Sequence, residues 1–159
     1  MSQTPPIVVF DCVVFIQPLI SERGPAAACI EQVKRGVVSL FISPYVMSEV
    51  RDVAARPTLF KKYRHLTPEF VDVFARDVER YAVSIETPPS AFALTRDPKD
   101  EPYINLAVAA GASYLVTWNA KHLTYLMKQD TPEGRDFCQR FPGLEIIPPP
   151  EFLQKTRMA

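Results

Sequence analysis

Glycine is scarce in this chain, with five in 159 residues, and neither G-x-x-x-x-G-K nor G-x-G-x-x-G occurs. Both phosphate-cradling loops need glycines for close backbone approach, so a P-loop enzyme and a dinucleotide-binding enzyme are excluded. Cysteine is equally sparse: Cys12, Cys29 and Cys138 are odd in number, far apart and without C-x-x-C spacing. That pattern argues against a disulfide framework or a zinc site and fits a reducing cytoplasm. There is no excess of either charge, since 18 Lys and Arg balance 18 Asp and Glu. Without an overall positive field, a nucleic-acid substrate would have to be met by local basic patches. Long hydrophobic runs are missing too. The N-terminal "MSQTPP" carries no basic region, and the apolar stretch after it is broken by Asp11, Gln17 and Pro18, so neither a signal peptide nor a membrane span is expected. These absences lead to the expectation of a soluble, cytoplasmic protein.

What is present is enough apolar material, 47% of 159 residues, for one domain with one core. A single domain over residues 1–159 is therefore expected, with its core at about 7–152. Short apolar runs alternate with helical patterns. Ile7 to Phe10 and "VVSLFIS" (37–43) read as strands, as do "VSIET" (83–87), "SYLVT" (113–117) and "LEII" (144–147). Between them, "GPAAACIEQVKRG" is helix-like, "SPYVMSEVRDVAAR" has Ser43 as N-cap with Pro44 at the first helical position, and "TPEFVDVFARDVERYA" opens the same way. "DPKDEPYINLAVAAGA" is a helix closed by Gly111, and a last helix lies near "PEGRDFCQRF" before a Pro-rich tail. The 16 prolines fall at element boundaries rather than in one tract, so no linker, low-complexity region or repeat is visible. Strands alternating with helices predict a parallel sheet and an α/β fold, a three-layer α/β/α sandwich.

One carboxylate interrupts "IVVFDCVVFI", a run that otherwise reads as buried strand. In an open parallel sheet, ligands bind beyond the carboxyl ends of the strands. Asp11 ends the first strand, Glu49 lies on the helix after the second, Asp97 and Asp100 sit at a helix start, and Asn119 follows "SYLVT". Acidic oxygens gathered from separate segments repel one another unless a cation neutralises them, and hard oxygen ligands select Mg²⁺ or Mn²⁺. Each residue also has a plainer explanation. Asp11 and Asn119 suit the caps of the segments after them, and Asp97 and Asp100 suit helix-start caps. Glu49 suits a solvated edge, although Tyr45, Val46, Asp52 and Val53 around it supply no cation. His122 suits a packed or surface position, and His65, in the basic stretch "FKKYRHL", reads as surface.

Taken in order, Asp11 after an apolar strand, Glu49 in "SEVRDV", "DPKDEPYINLAVAAGA" and "YLVTWNAKHL" resemble the PIN domain, in its bacterial toxin-like, VapC-related branch. The resemblance runs from Ile7 to about Phe152 and is most specific from Asp97 to Leu123. It implies a five-stranded parallel sheet of order 3-2-1-4-5 and a Mg²⁺- or Mn²⁺-dependent ribonuclease site, with Asp11, Glu49, Asp100 and Asn119 as catalytic and metal-binding residues. Thr117, Asp97 and His122 support them, and Arg51, Arg96, Lys99 and Lys121 are candidates to hold the RNA backbone. It also implies a homodimer and a cognate antitoxin. Two departures stand out: Val13 occupies the place of a common asparagine in "DCV", and "TWN" puts Asn119 where a fourth carboxylate is usual. Asn119 would offer a neutral carbonyl oxygen in its place. A haloacid-dehalogenase-like phosphatase is disfavoured because Val13 stands where its second Asp would be. The competing reading is a weakened or inactive PIN-like module that binds RNA or a protein partner.

Overall fold

The computed structural model describes residues 4–157. Five parallel strands, β1 (Ile7–Phe10), β2 (Ser39–Ile42), β3 (Val83–Ser84), β4 (Tyr114–Val116) and β5 (Glu145–Ile147), form one sheet in the order β3-β2-β1-β4-β5. Eight α-helices flank it: α1 (Cys12–Ile20), α2 (Pro25–Lys34), α3 (Pro44–Ala54), α4 (Pro57–Lys62), α5 (Pro68–Tyr81), α6 (Glu101–Ala110), α7 (Pro132–Arg140) and α8 (Pro149–Arg157). This is the expected α/β sandwich with its 3-2-1-4-5 sheet. Central strands covered on both faces cannot alternate apolar with polar residues. Accordingly Val8, Val9 and Phe10 are all fully buried, with α6 packed across β1, β2 and β4 and the Phe10 ring against Phe15 of α1 and Phe152 of α8, centroids 5.8 and 5.9 Å apart.

Proline is abundant at helix starts, where its missing N–H has no intrahelical partner to lose. Pro25, Pro44, Pro57, Pro68 and Pro132 each open a helix. Three of these starts are also capped by a hydroxyl: Ser43 accepts from Val46 N–H at 3.2 Å, Thr67 from Phe70 N–H at 3.1 Å and Thr131 from Gly134 N–H at 3.0 Å. At the other end of α6, Gly111 takes the left-handed conformation, φ 67°, that ends a helix without a Cβ clash.

The structure departs from the expected elements in four places. "CVVFI" does not extend the first strand; it is the start of α1. With Cys12, Val14, Phe15, Ile16 and Leu19 all buried beneath α2 and α3, that helix has almost no polar face, and its apolar run has no 3.6-residue period to betray it. The short α4 lies where the sequence pattern placed no element. The tail forms α8, because its prolines fall at the helix start, where they are tolerated. "VSIET" shrinks to the two residues of β3 at the sheet edge. No helix among the described residues is long and apolar enough to cross a membrane.

Candidate active site

The sheet ladder places the first carboxylate. Asp11 N–H donates to Val116 carbonyl at 3.0 Å, carrying the β1–β4 pairing one residue past β1, and Thr117 N–H donates to Ile147 carbonyl at 3.0 Å. Asp11 and Thr117 therefore emerge side by side at the C-terminal edge. Asp11 occupies the N-cap position of α1 but makes no side-chain cap bond. Its carboxylate instead accepts the Thr117 hydroxyl, Oγ1 to Oδ2 2.6 Å. Thr117, fully buried, also accepts from Asn119 N–H at 2.9 Å, so its one hydroxyl is donor and acceptor at once. Burial pushes the Asp11 carboxyl up, the Thr117 bond opposes this, and the Glu49 charge adds to the rise.

Glu49 arrives from α3, six residues after the Ser43 cap. The Tyr103 hydroxyl donates to its Oε1 and the Tyr45 hydroxyl to its Oε2, the latter at 3.4 Å. Tyr103 lies in α6 with no exposed surface; burial and the bond to Glu49 push its phenol well up. Among the described residues no lysine or arginine forms an ion pair with Glu49; two phenols hold its oxygens instead. Neither tyrosine was singled out from the sequence. Tyr45 carried a signal, its i−4 spacing from Glu49, while Tyr103 meets Glu49 only through the packing of α3 on α6.

The third group surrounds the start of α6. Asp97 Oδ1 accepts from Lys99 N–H at 3.1 Å and so caps the 3-10 turn Pro98–Asp100, as its plainer explanation required. Asp100 makes no side-chain cap bond although it precedes α6. Its Oδ2 accepts from the Asn119 amide nitrogen at 3.0 Å. The Asn119 carbonyl oxygen accepts from His122 N–H at 3.0 Å. A backbone N–H can only donate, so it fixes which amide atom faces which partner. Asn119 therefore turns its NH₂ group, not its carbonyl oxygen, toward the carboxylates, unlike the ligand expected from the sequence. His122 Nδ1 is 3.2 Å from Asp97 Oδ2 and 3.9 Å from Asp100 Oδ2.

Burial and the charges of Asp11 and Asp97, with a smaller contribution from Glu49, raise the Asp100 carboxyl from 3.8 to about 7. Among the described residues, no lysine or arginine forms an ion pair with Asp11, Glu49, Asp97 or Asp100. The donor set fits a divalent cation: hard carboxylate oxygens, mutual repulsion and no lysine or arginine to neutralise it. Ligand atoms of Asp97, Asp100 and His122 lie within 4.8 Å of one another and could hold a metal ion. Asp11 and Glu49 lie within electrostatic reach of Asp100 but outside that tighter group.

The basic candidates divide. Arg51 is held by Glu79 at 2.7 Å and faces Asp72 at 3.9 Å. Arg96 lies over the Tyr125 ring, 3.9 Å from its centroid, and donates to the Lys121 carbonyl at 3.1 Å. Lys99 and Lys121 are exposed. Val13 is 45% exposed, an apolar side chain on the helix that begins at the Asp11 carboxylate.

Fold and site together define a class: an α/β sandwich that gathers carboxylates at the C-terminal edge of a parallel sheet. A family model of the PIN domain matches residues 7–121, more than half of the chain, and the chain belongs to the PIN domain family. PIN domains are generally nucleases acting on RNA or other nucleic acid, and usually use divalent metal ions. No curated protein and no solved structure matches the chain.

Proposed function

We propose that this chain is a metal-dependent endoribonuclease that hydrolyses RNA phosphodiesters, the toxin component of a toxin–antitoxin pair. The observation that carries the nuclease reading is the convergence of Asp11, Glu49, Asp97 and Asp100 from separate segments with no lysine or arginine paired to them. Asp11 and Asp100 are the residues that would hold Mg²⁺ or Mn²⁺, with Asp97 and His122 beside Asp100 and Glu49 facing the same space. Such a cation, when bound, neutralises phosphate charge and lowers the pKa of a coordinated water.

The chain's own work is positioning. Thr117 orients the Asp11 carboxylate, and Tyr103 and Tyr45 orient Glu49. Asn119 directs Asp100 and tethers the turn that carries His122. All four are neutral donors, which fix the acids without competing with a cation. Glu49 is the carboxylate left to take a proton from the attacking water. Lys99, Lys121 and Arg96, near the cluster in sequence and exposed, are the phosphate contacts; Arg51 joins them only by leaving Glu79.

Purified protein should cleave a mixed RNA pool with Mn²⁺ or Mg²⁺ and not with EDTA, and Asp11→Asn and Asp100→Asn should each abolish cleavage. A second reading, an RNA- or protein-binding module without catalysis, is favoured by the Asn119 amide facing Asp100. Cleavage that is unchanged in both variants and in EDTA would select it. The toxin role rests on the resemblance of "DPKDEPY" and "TWNAKHL" to the toxin-like branch. Growth arrest on expression, relieved by the product of an adjoining gene, tests it. Light scattering tests the homodimer.

A further inference from the structure

A groove of about 370 Å³ has Gln17, Arg23, Gly24, Tyr63 and Trp118 among its lining residues. That volume lies within the range of small-ligand clefts. Trp118, the chain's one tryptophan, is 39% exposed. Its indole N–H donates to Gln17 Oε1 at 2.8 Å, a bond that orients the ring along α1. In sequence it sits between Thr117 and Asn119, which hold Asp11 and Asp100. Val13 and Gln17, both exposed and one turn apart on α1, lead from Asp11 to the groove; six residues of helix span about 9 Å.

The groove's other wall brings charge. Tyr63 lies in "FKKYRHL", where Lys61, Lys62 and Arg64 are exposed and the Lys62 ammonium sits 5.4 Å over the Tyr63 ring. Arg23 at the groove is exposed and forms no ion pair among the described residues. In a chain of zero net charge, Arg23 in the groove's lining and Lys62 on the Tyr63 ring bring positive charge to this place. Aromatic faces with flanking cations suit the π-face of a base and the phosphates on either side of it. A base stacked within a duplex cannot present that face.

We propose that this groove is a nucleobase subsite: it takes an unpaired base flanking the phosphodiester held at the acidic cluster, stacked on Trp118. The proposal rests on the ribonuclease reading and makes the substrate single-stranded RNA. Trp118 is also its own reporter. The full chain is titrated with fluorescently labelled hexauridylate and with an RNA hairpin whose stem is fully paired and whose loop is a non-nucleotide linker, with Ca²⁺ as the divalent ion. Binding is read by anisotropy and stacking by quenching of tryptophan fluorescence.

The expected result is saturable quenching by the single strand and little by the hairpin. Trp118→Ala should bind hexauridylate roughly 5- to 150-fold more weakly, the range for losing one base-stacking ring. Trp118→Phe, which keeps a ring but loses the bond to Gln17, should recover most of the affinity and controls for misfolding. Arg23→Ala and Tyr63→Ala should weaken binding and reduce the quench. RNA bound without quenching, and equally by Trp118→Ala, overturns the subsite while leaving the ribonuclease reading intact. Equal quenching by the paired stem overturns the requirement for an unpaired base. No RNA binding at all overturns both.

Discussion

Thr117→Val removes one hydroxyl and keeps the side chain's shape, at a position with no exposed surface. Two bonds disappear together: the 2.6 Å bond to the Asp11 carboxylate and the 2.9 Å bond from Asn119 N–H. A hydrogen bond to a charged group is worth about 1.5–3 kcal/mol, and a buried N–H left without a partner costs about 1–3 kcal/mol. Some relaxation and water entry will recover part of this, so the expected loss is about 3 kcal/mol. For a chain of this length each kcal/mol shifts Tm by about 2–4 °C, giving roughly 6–12 °C. Urea unfolding and calorimetry on chelator-treated protein measure it, with Thr117→Ser as the variant that should restore most of the loss. In an Asp11→Asn background the same substitution should cost less by about 1 kcal/mol, the difference between a bond to a charged carboxylate and one to a neutral amide oxygen. A Thr117→Val loss below about 0.5 kcal/mol, typical of an ordinary surface change, or full additivity with Asp11→Asn, would refute the idea that the Thr117 hydroxyl holds the Asp11 carboxylate.

Three other outcomes follow from the same geometry. In the folded, metal-free protein Asp100 keeps its proton up to about 7, whereas the unfolded carboxyl releases it near 3.8; the native state then binds more protons across that window, so stability must fall as pH rises through it. Thermal scans in chelator should show that fall in wild type and a flatter profile in Asp100→Asn. Mn²⁺ should raise Tm by mass action, about 2.7 kcal/mol at a hundred times its Kd, with the gain lost in Asp11→Asn or Asp100→Asn and reversed by EDTA. Asn119→Asp should lower the stability of metal-free protein, by exchanging a donor to Asp100 for another negative charge, and tighten Mn²⁺ binding in calorimetry; a change of the same sign in both measurements would contradict the orientation of Asn119.

Local chemistry explains which elements were legible in the sequence. Ser43-Pro44 and Thr67-Pro68 combine a capping hydroxyl with a preset φ, and each begins a helix where the pattern placed one. Gly111 ends α6 for an equally local reason. By contrast α1 is apolar on most of its surface because it is sandwiched among other elements, so its period is erased by tertiary packing. Within the site, Asp11, Glu49 and Asp100 were each weak signals alone, and stood out through their joint placement at one sheet edge and their order along the chain. Tyr103 did not, since a tyrosine in an apolar helix reads as core until α3 and α6 are brought together. The direction of the Asn119 amide was also hidden: it depends on His122 N–H capturing the carbonyl oxygen, a turn geometry that residue spacing does not specify.

The way the acids are held has a consequence for how the fold and the site depend on each other. A structural cluster of carboxylates would be expected to recruit arginine or lysine, because paired charges lose less on burial than bare ones. Instead the fold supplies a threonine, two tyrosines and an asparagine, all neutral donors. Neutral donors satisfy individual oxygens yet leave the net negative charge in place, and burial together with the residual repulsion raises Asp100 to about 7. That repulsion weighs against the metal-free native state and disappears when a cation enters. Stability and metal affinity are therefore linked with opposite signs: a change that quiets the repulsion, such as Asp100→Asn, stabilises the empty fold above pH 7 and weakens the site. An arginine introduced beside Asp100 should do the same, steadying the fold while occupying the charge that the cation would otherwise meet.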